Sequence, residues 1–327
     1  MKALDMLYFY LSPSTLLPNL PKSRGELSPN YLTGEYAWIL QTYLVLKEKN
    51  VPCELVSKFP DKGIVVVHRS HIPKDYRPNN ATLLVCVQAD YSLHWWAQAH
   101  VVQNKAALKR NLIWSLRHLF PPTRDTYIRH WPQPNLVPRS SERGNRFENL
   151  AFFGTELNMD PYLRSNEWLG HIKNLGLNWL PKFDPKTWHD YNDVDCIVAV
   201  RSFSEKPKSW KPPTKLFNAW LAGAPIIVEP YSAYFEERRS ENDFCVSKDP
   251  AELVDWVQKL KTSPTLREKF VNAGRSRVKD CSVDTIAQTW IDTLNGTWLP
   301  LLDKWQESPV HRNLFFLRAF LGNCFSI

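Results

Sequence analysis

Apolar residues fall in short unbroken runs rather than in alternation over the first half of the chain. Leu4–Leu11, Cys53–Ser57, Ile64–His68 and Leu83–Gln88 each form such a run. Strands buried on both faces lose polar alternation, which predicts a parallel sheet. Between them, Gly34–Asn50 places Tyr36, Leu40, Tyr43 and Leu44 on one helical face, and Asn104–Phe120 reads as a basic amphipathic helix. The Pro-, Ser- and Gly-containing stretch Ser12–Thr33 is long for a plain connection, and loops of that length are usually functional. Five prolines and the polar run Arg139–Arg146 make Pro121–Asn149 a break in the pattern.

A second alternation follows. Strands are predicted at Leu150–Phe153, Asp195–Arg201 and Pro225–Val228. Helices are predicted at Pro161–Leu175, Lys215–Ala222, Pro250–Lys261, Thr265–Lys279 and Val283–Leu294. The expected architecture is α/β, with two doubly wound Rossmann-like domains facing a cleft. Residues 1–133 would form the first domain, 134–149 a linker, 150–295 the second domain, and 296–327 a tail packing back on the first. The 327 residues suit two cores.

Composition adds little to the fold and more to the setting. The chain is 43% hydrophobic and 23% charged, and so globular. Its net charge of +8 points to an anionic partner such as a nucleotide diphosphate or a phospholipid surface. The charge is spread out, without the basic run of a nucleic-acid tail, so no nucleic-acid partner is expected. The cysteines form no CxxC pair, so no metal cluster is indicated, and reduced thiols within strands favour a reducing compartment. No run reaches the apolar length of a membrane span. A cytoplasmic location is expected, with peripheral membrane association left open by the tail. There, Arg312 and Arg318 stand among Phe and Leu. The tail suits either packing or interfacial anchoring.

The most informative segment is Lys211–Glu229, KPPTKLFNAWLAGAPIIVE. Two prolines hold an extended entry, Thr214 reads as an N-cap, and Gly223 ends the helix before a β-branched strand. Lys211, Thr214, Lys215 and the helix N-terminus suit a diphosphate. An ordinary strand–helix–strand unit with a rim lysine reads equally well. The Asp193-Val194-Asp195 triplet precedes its strand rather than following it, and reads as turn chemistry and not as a metal site.

The run TKLFNAWLAGAPII, followed by EPYSAY, resembles the donor-binding region of GT-B glycosyltransferases, of the family 1 and 4 or fucosyltransferase type. Asn218, Ala219, Gly223 and Pro225 fill the motif positions. The segment SKDPAELVDWVQKLKTSPTLREKFVNAGRSRV is similar to the ending of such enzymes. The resemblance covers about Leu150–Leu294 and implies a glycosyltransferase that takes a sugar from a nucleotide-diphosphate sugar. The acceptor would be a carbohydrate or a lipid-linked molecule in polysaccharide or glycolipid assembly. No cofactor or metal is expected. Many retaining relatives carry two glutamates eight positions apart. Here Trp210 and Asn218 stand in those places, which leaves open an inactive carbohydrate- or partner-binding protein.

Donor contacts are expected from Gly154, Arg201, Lys211, Thr214, Lys215, Asn218 and Glu229. Gly154 and Arg201 end strands, where ligands bind in open α/β sheets. For the base that deprotonates an acceptor hydroxyl, His68 leads, with His71, Asp90 and Glu35 as alternatives. Asp90 has a competing role as cap of a helix beginning near Leu93.

Overall fold

The computed structural model describes residues 6–15, 19–28, 31, 34–109, 111, 124–203, 211–230 and 233–324. The chain divides into two compact units. One comprises Met1–Trp131, Trp210–Pro212 and Val283–Ile327; the other comprises Pro132–Ser209 and Pro213–Ser282.

The first unit is built on a parallel sheet, in the order β2-β1-β3-β4-β5-β6 among the described residues. The strands are β1 (Leu7–Tyr10), β2 (Cys53–Val56), β3 (Gly63–His68), β4 (Thr82–Val87), β5 (Ala99–Val102) and β6 (Arg124–Tyr127). β3 and β4 are buried along their whole length, as unbroken GIVVVH and TLLVCV runs require of central parallel strands. Alternate residues serve the two faces. Ile64, Val66, Leu83 and Val85 join one cluster with Trp38 and Leu44. Val65, Val67, Leu84 and Cys86 pack beneath Ile72, Phe59 and Tyr76. The chain enters α1 (Gln41–Glu48) through a π turn at Tyr36–Leu40. The helix expected to begin near Leu93 is absent: His94–Gln98 leads directly into β5, so Asp90 caps nothing there. The predicted helix Asn104–Phe120 and the loop Ser12–Thr33 lie partly outside the described residues.

The second unit carries a parallel sheet in the order β11-β10-β9-β7-β8. Its strands are β7 (Asn149–Phe153), β8 (Asn178–Lys182), β9 (Cys196–Ala199), β10 (Ile226–Val228) and β11 (Cys245–Val246). The helices are α2 (Asn166–Asn174), α3 (Thr214–Ala222), α4 (Pro250–Thr262) and α5 (Pro264–Arg277). α3 stops at Gly223, which holds φ +70 at the helix end, a conformation that glycine adopts without steric cost. Residues 134–149, read from sequence as a linker, belong to this unit. Asp195 ties them down: its carboxylate accepts from Arg139, Arg143 and the backbone amides of Glu148 and Asn149.

From Val283 the chain returns to the first unit as α6 (Val283–Thr293), α7 (Leu299–Glu307) and α8 (Pro309–Cys324). Ile286, Trp290, Trp298, Leu301 and Leu302 enter the same cluster as β1, β3 and α1. Trp305 stacks edge-on with Phe315 and donates to the Asn79 carbonyl at 2.8 Å. The tail therefore completes the core of the first unit.

Candidate functional site

Each sheet has one topological switch point, where successive connections leave in opposite directions. In open α/β sheets the crevice beyond the strand ends at that point binds ligands. In the second unit β8 lies on one side of β7 and β9 on the other, so the switch point falls between β7 and β9. Gly154 follows β7 and Arg201 closely follows β9. β10 leads into Glu229, and α3 begins at Thr214.

These residues form a cationic pocket edge without protein partners for several of its donors. Arg201 Nε, Thr214 Oγ1 and Lys215 Nζ are all sealed from solvent, and none has a hydrogen-bond partner among the described residues. Part of the Lys215 stem is exposed, but its Nζ lies 4.1 Å from the centre of the Phe152 ring. Burial pushes the Lys215 ammonium well below its ordinary pKa, Arg201 pushes it the same way, and Glu229 opposes both. Burial also raises the Glu229 carboxyl, against the pull of Arg201 and Lys215. The Arg201 backbone N–H donates to Glu229 at 3.2 Å. Gly154 sits at φ +143, and a Cβ there would stand 3.4 Å from both Lys215 Nζ and Phe152. A side chain would be strained and would crowd the ammonium. Unpaired buried donors are costly, and an anion would satisfy them.

Two expected donor residues are otherwise engaged. Asn218 is buried; its amide oxygen accepts from the Gln133 backbone at 3.0 Å, and the Tyr191 hydroxyl bonds to it. Lys211 belongs to the first unit and pairs with Asp90. Thr214 is the first residue of α3 and not its cap: Pro213 holds that place and no side chain caps the helix. That is why the Thr214 hydroxyl is left unbonded.

The opposite edge of this sheet holds a cavity of about 610 Å3 lined by Arg139, Arg146, Arg267 and Arg275. Its buried guanidiniums are already committed: Arg267 donates to the carbonyls of Leu260, Lys261 and Asn145, and Arg139 to Asp195 and two carbonyls. This cavity lies at the N-terminal strand ends, away from the switch point.

In the first unit β2 lies on one side of β1 and β3 on the other, so the switch point falls between β1 and β3. His68 ends β3 there, buried, with Nε2 unpartnered among the described residues. His71 lies 6.0 Å away ring to ring, and Tyr91 presents its ring edge-on at 5.8 Å. Burial lowers His68 to about 4, with Glu35 and Asp90 opposing and His71 reinforcing. Burial lowers His71 too. Asp90 is exposed, and both its carboxylate oxygens are used, one by Gln103 at 2.7 Å and one by Lys211. It follows Ala89, a non-glycine residue at φ +47. Sequence reasoning gave Ser70 no role, although it stands between His68 and His71.

Residues 153–292 match a family model described as glycosyl transferase-like. Sucrose-phosphate synthase from Thermosynechococcus elongatus is similar over 90% of this chain and 100% of its own, at TM-score 0.57 and 10% identity. The chain has the GT-B glycosyltransferase fold. AviGT4, a glycosyltransferase involved in avilamycin A biosynthesis, is similar over 91% of this chain and 98% of its own, at TM-score 0.52 and 13% identity. Anabaena HepE in complex with UDP is similar over 90% and 100%, at TM-score 0.51 and 10% identity. No curated protein sequence matches the chain. The glycosyl transferase-like match takes in the whole switch-point group of this GT-B protein, from Gly154 through Glu229.

Proposed function

We propose that the chain transfers a sugar from a nucleotide-diphosphate sugar to a carbohydrate or lipid-linked hydroxyl. The diphosphate binds at Gly154, Arg201, Thr214 and Lys215 in the second unit. The carrying observation is the set of three buried donors, Arg201 Nε, Thr214 Oγ1 and Lys215 Nζ, that lack a hydrogen-bond partner among the described residues. Two cations, a hydroxyl and the N-terminus of α3 supply what a departing diphosphate needs: fixed positive charge in a dry site. No metal is required by this arrangement. In the first unit, His68 is the base, because its Nε2 has no hydrogen-bond partner among the described residues whereas Asp90 is held by Gln103 and Lys211. A thermal-shift screen against UDP, GDP, ADP, TDP and their sugars tests the reading. A bound nucleotide at about a hundred times its Kd stabilises by roughly 2.7 kcal/mol. No response to any of them would remove the donor site. Binding without turnover would favour a carbohydrate-binding protein.

A lipid-linked acceptor is supported by the last helix. No helix among the described residues is long and apolar enough to cross a membrane. On α8, however, Val310, Leu314, Leu317 and Phe320 are exposed while Phe315 and Ala319 are buried. Sequence positions of the first unit hold 20 Lys and Arg against 13 Asp and Glu, a net charge of +7, so nearly all of the chain's excess lies with this apolar stripe. The stripe rests on an anionic lipid surface in this reading. Flotation with anionic but not zwitterionic vesicles, lost in Leu314→Glu/Leu317→Glu, is the expected result. A concentration-dependent dimer abolished by the same pair would show instead that the stripe meets a second copy.

A further inference from the structure

His68 ends β3 beside a connected group of polar side chains. Ser70 Oγ lies 2.7 Å from His68 Nδ1 and 3.2 Å from Glu35 Oε1. Glu35 Oε1 is 3.9 Å from Nδ1, too far to bond it directly. A hydroxyl has one proton, and an ionised carboxylate only accepts. The Ser70 proton therefore goes to Glu35, Oγ turns a lone pair to Nδ1, and Nδ1 carries the ring proton. The Ser70 backbone N–H approaches Nδ1 at 3.4 Å, which on its own would ask for the opposite tautomer. That contact is the longest of the three, and the Ser70 hydroxyl, drawn to the charged Glu35 carboxylate, sets the direction of the 2.7 Å contact.

We infer that Glu35 and Ser70 are positioning residues that hold His68 as its Nδ1–H tautomer, so that Nε2 is a bare acceptor for the hydroxyl of the incoming substrate. This rests on the reading of His68 as the base. A second observation agrees. Nε2 is buried and has no hydrogen-bond partner among the described residues, and a Cβ on Gly34 would stand 3.5 Å from it. Glycine at 34 leaves Nε2 without a Cβ against it. Among the described residues nothing else in the group competes for Nε2. His71 lies 6.0 Å away, Tyr91 shows a ring edge, and Asp90 is paired with Lys211.

The hydroxyl proton passes to Nε2 as its oxygen bonds to the anomeric carbon. The bond from that carbon to the diphosphate oxygen breaks, and the nucleoside diphosphate leaves with the electron pair. The imidazolium formed is stabilised by Glu35 through the Ser70 hydroxyl, then returns its proton to water. Because burial keeps the ring neutral at pH 7, the control lies in which nitrogen holds the proton and not in how many protons the ring carries.

The full chain labelled with 15N-histidine, observed by long-range 1H–15N correlation at pH 7, tests this directly. His68→Gln assigns the signals. The expected wild-type pattern has Nδ1 protonated and Nε2 bare. Ser70→Ala and Glu35→Gln should each move the proton to Nε2: the first removes the acceptor, and the second gives Ser70 a donor in place of a carboxylate, turning its hydroxyl proton toward Nδ1. Ser70→Thr keeps the hydroxyl and should keep the wild-type pattern. An Nε2-protonated His68 in the wild type, or a pattern unmoved by both Ser70→Ala and Glu35→Gln, overturns the inference. The readout needs neither donor nor acceptor, so it stands apart from the nucleotide screen. Once a substrate is in hand, Ser70→Ala should lower kcat at least tenfold with KM little changed, while Ser70→Thr recovers most of the rate. Equal kcat in Ser70→Ala and the wild type would leave the relay without a catalytic role.

Discussion

Lys215→Met separates a ligand-binding lysine from a structural one, because the two roles predict opposite signs. In the free protein Lys215 Nζ is sealed from solvent, has no hydrogen-bond partner among the described residues, and is held well below its ordinary pKa by burial and by Arg201. Each unit of that depression represents about 1.4 kcal/mol of disfavoured charge. Methionine keeps the length of the stem and its packing on Phe152 without the charge, so the free variant should be more stable than the wild type. A gain of about 1 kcal/mol corresponds to roughly 2–4 °C in Tm for a unit of this size. Nucleotide binding should move the other way. Losing one charge-assisted bond to a phosphate costs about 1.5–3 kcal/mol, a 10- to 150-fold rise in Kd. The lysine also carries a proton linkage. It is depressed when free and restored when an anion arrives, so binding takes up a proton at any pH between the free and bound pKa values, and affinity rises as pH falls through that window. Titration calorimetry in two buffers of different ionisation enthalpy measures that uptake, which should vanish in Lys215→Met. A variant that is destabilised yet binds every nucleotide as the wild type does would refute the argument.

Gly154→Ala adds a Cβ at φ +143 beside Lys215 Nζ; about 1–3 kcal/mol of stability and most nucleotide affinity should be lost, measured by thermal shift with and without ligand. Burial alone would raise the Asp195 carboxyl, but Arg143, the amides of Glu148 and Asn149, and Arg139 outweigh it and hold it below its ordinary value. A depressed carboxyl stabilises above the unfolded pKa of about 3.9 and loses that contribution as pH falls. Asp195→Asn should therefore cost about 3–5 kcal/mol at pH 7 by denaturant titration, with the gap to the wild type narrowing below about pH 4. Trp290→Ala should cost about 3–5 kcal/mol in the same assay, since Trp290 is fully buried between Phe9, Trp38 and Trp298; a loss under 1 kcal/mol would mean that α6 is not part of the first core.

The central strands were legible because burial on both faces writes itself into unbroken runs: GIVVVH and TLLVCV could be little else. Two missed strands at the margins have the opposite character, whereas β5, AHVV, is buried along its length and was missed for its shortness. β6 is RDTY and β8 is NWLPK, half exposed at the sheet margins, where no face demands a fixed hydrophobic pattern. The helix proposed after Asp90 failed because apolar Leu93, Trp95 and Trp96 mimic a helical face while serving loop packing. In the second unit, α3 and its glycine stop followed from local chemistry, and Thr214 and Lys215 stand at the helix start as that chemistry predicts. Asn218 was placed by motif position alone, and the structure shows its amide holding the Gln133 backbone instead.

Ser70 and the Lys211–Asp90 pair were invisible for a different reason. Lys211 lies 121 residues from Asp90 and Ser70 lies 35 from Glu35, so neither contact has a local spacing to read. What could have pointed to them is topology. Once strand order places a switch point between β1 and β3, the groups that follow those two strands must meet: Gly34 and Glu35 after β1, His68 and Ser70 at β3. The same rule joins Gly154 with Arg201 across β7 and β9. Chemistry at these positions follows from connection order more than from any motif. A chain without the glutamate pair can therefore still bring a buried histidine, and a lysine with no hydrogen-bond partner among the described residues, to its two switch points.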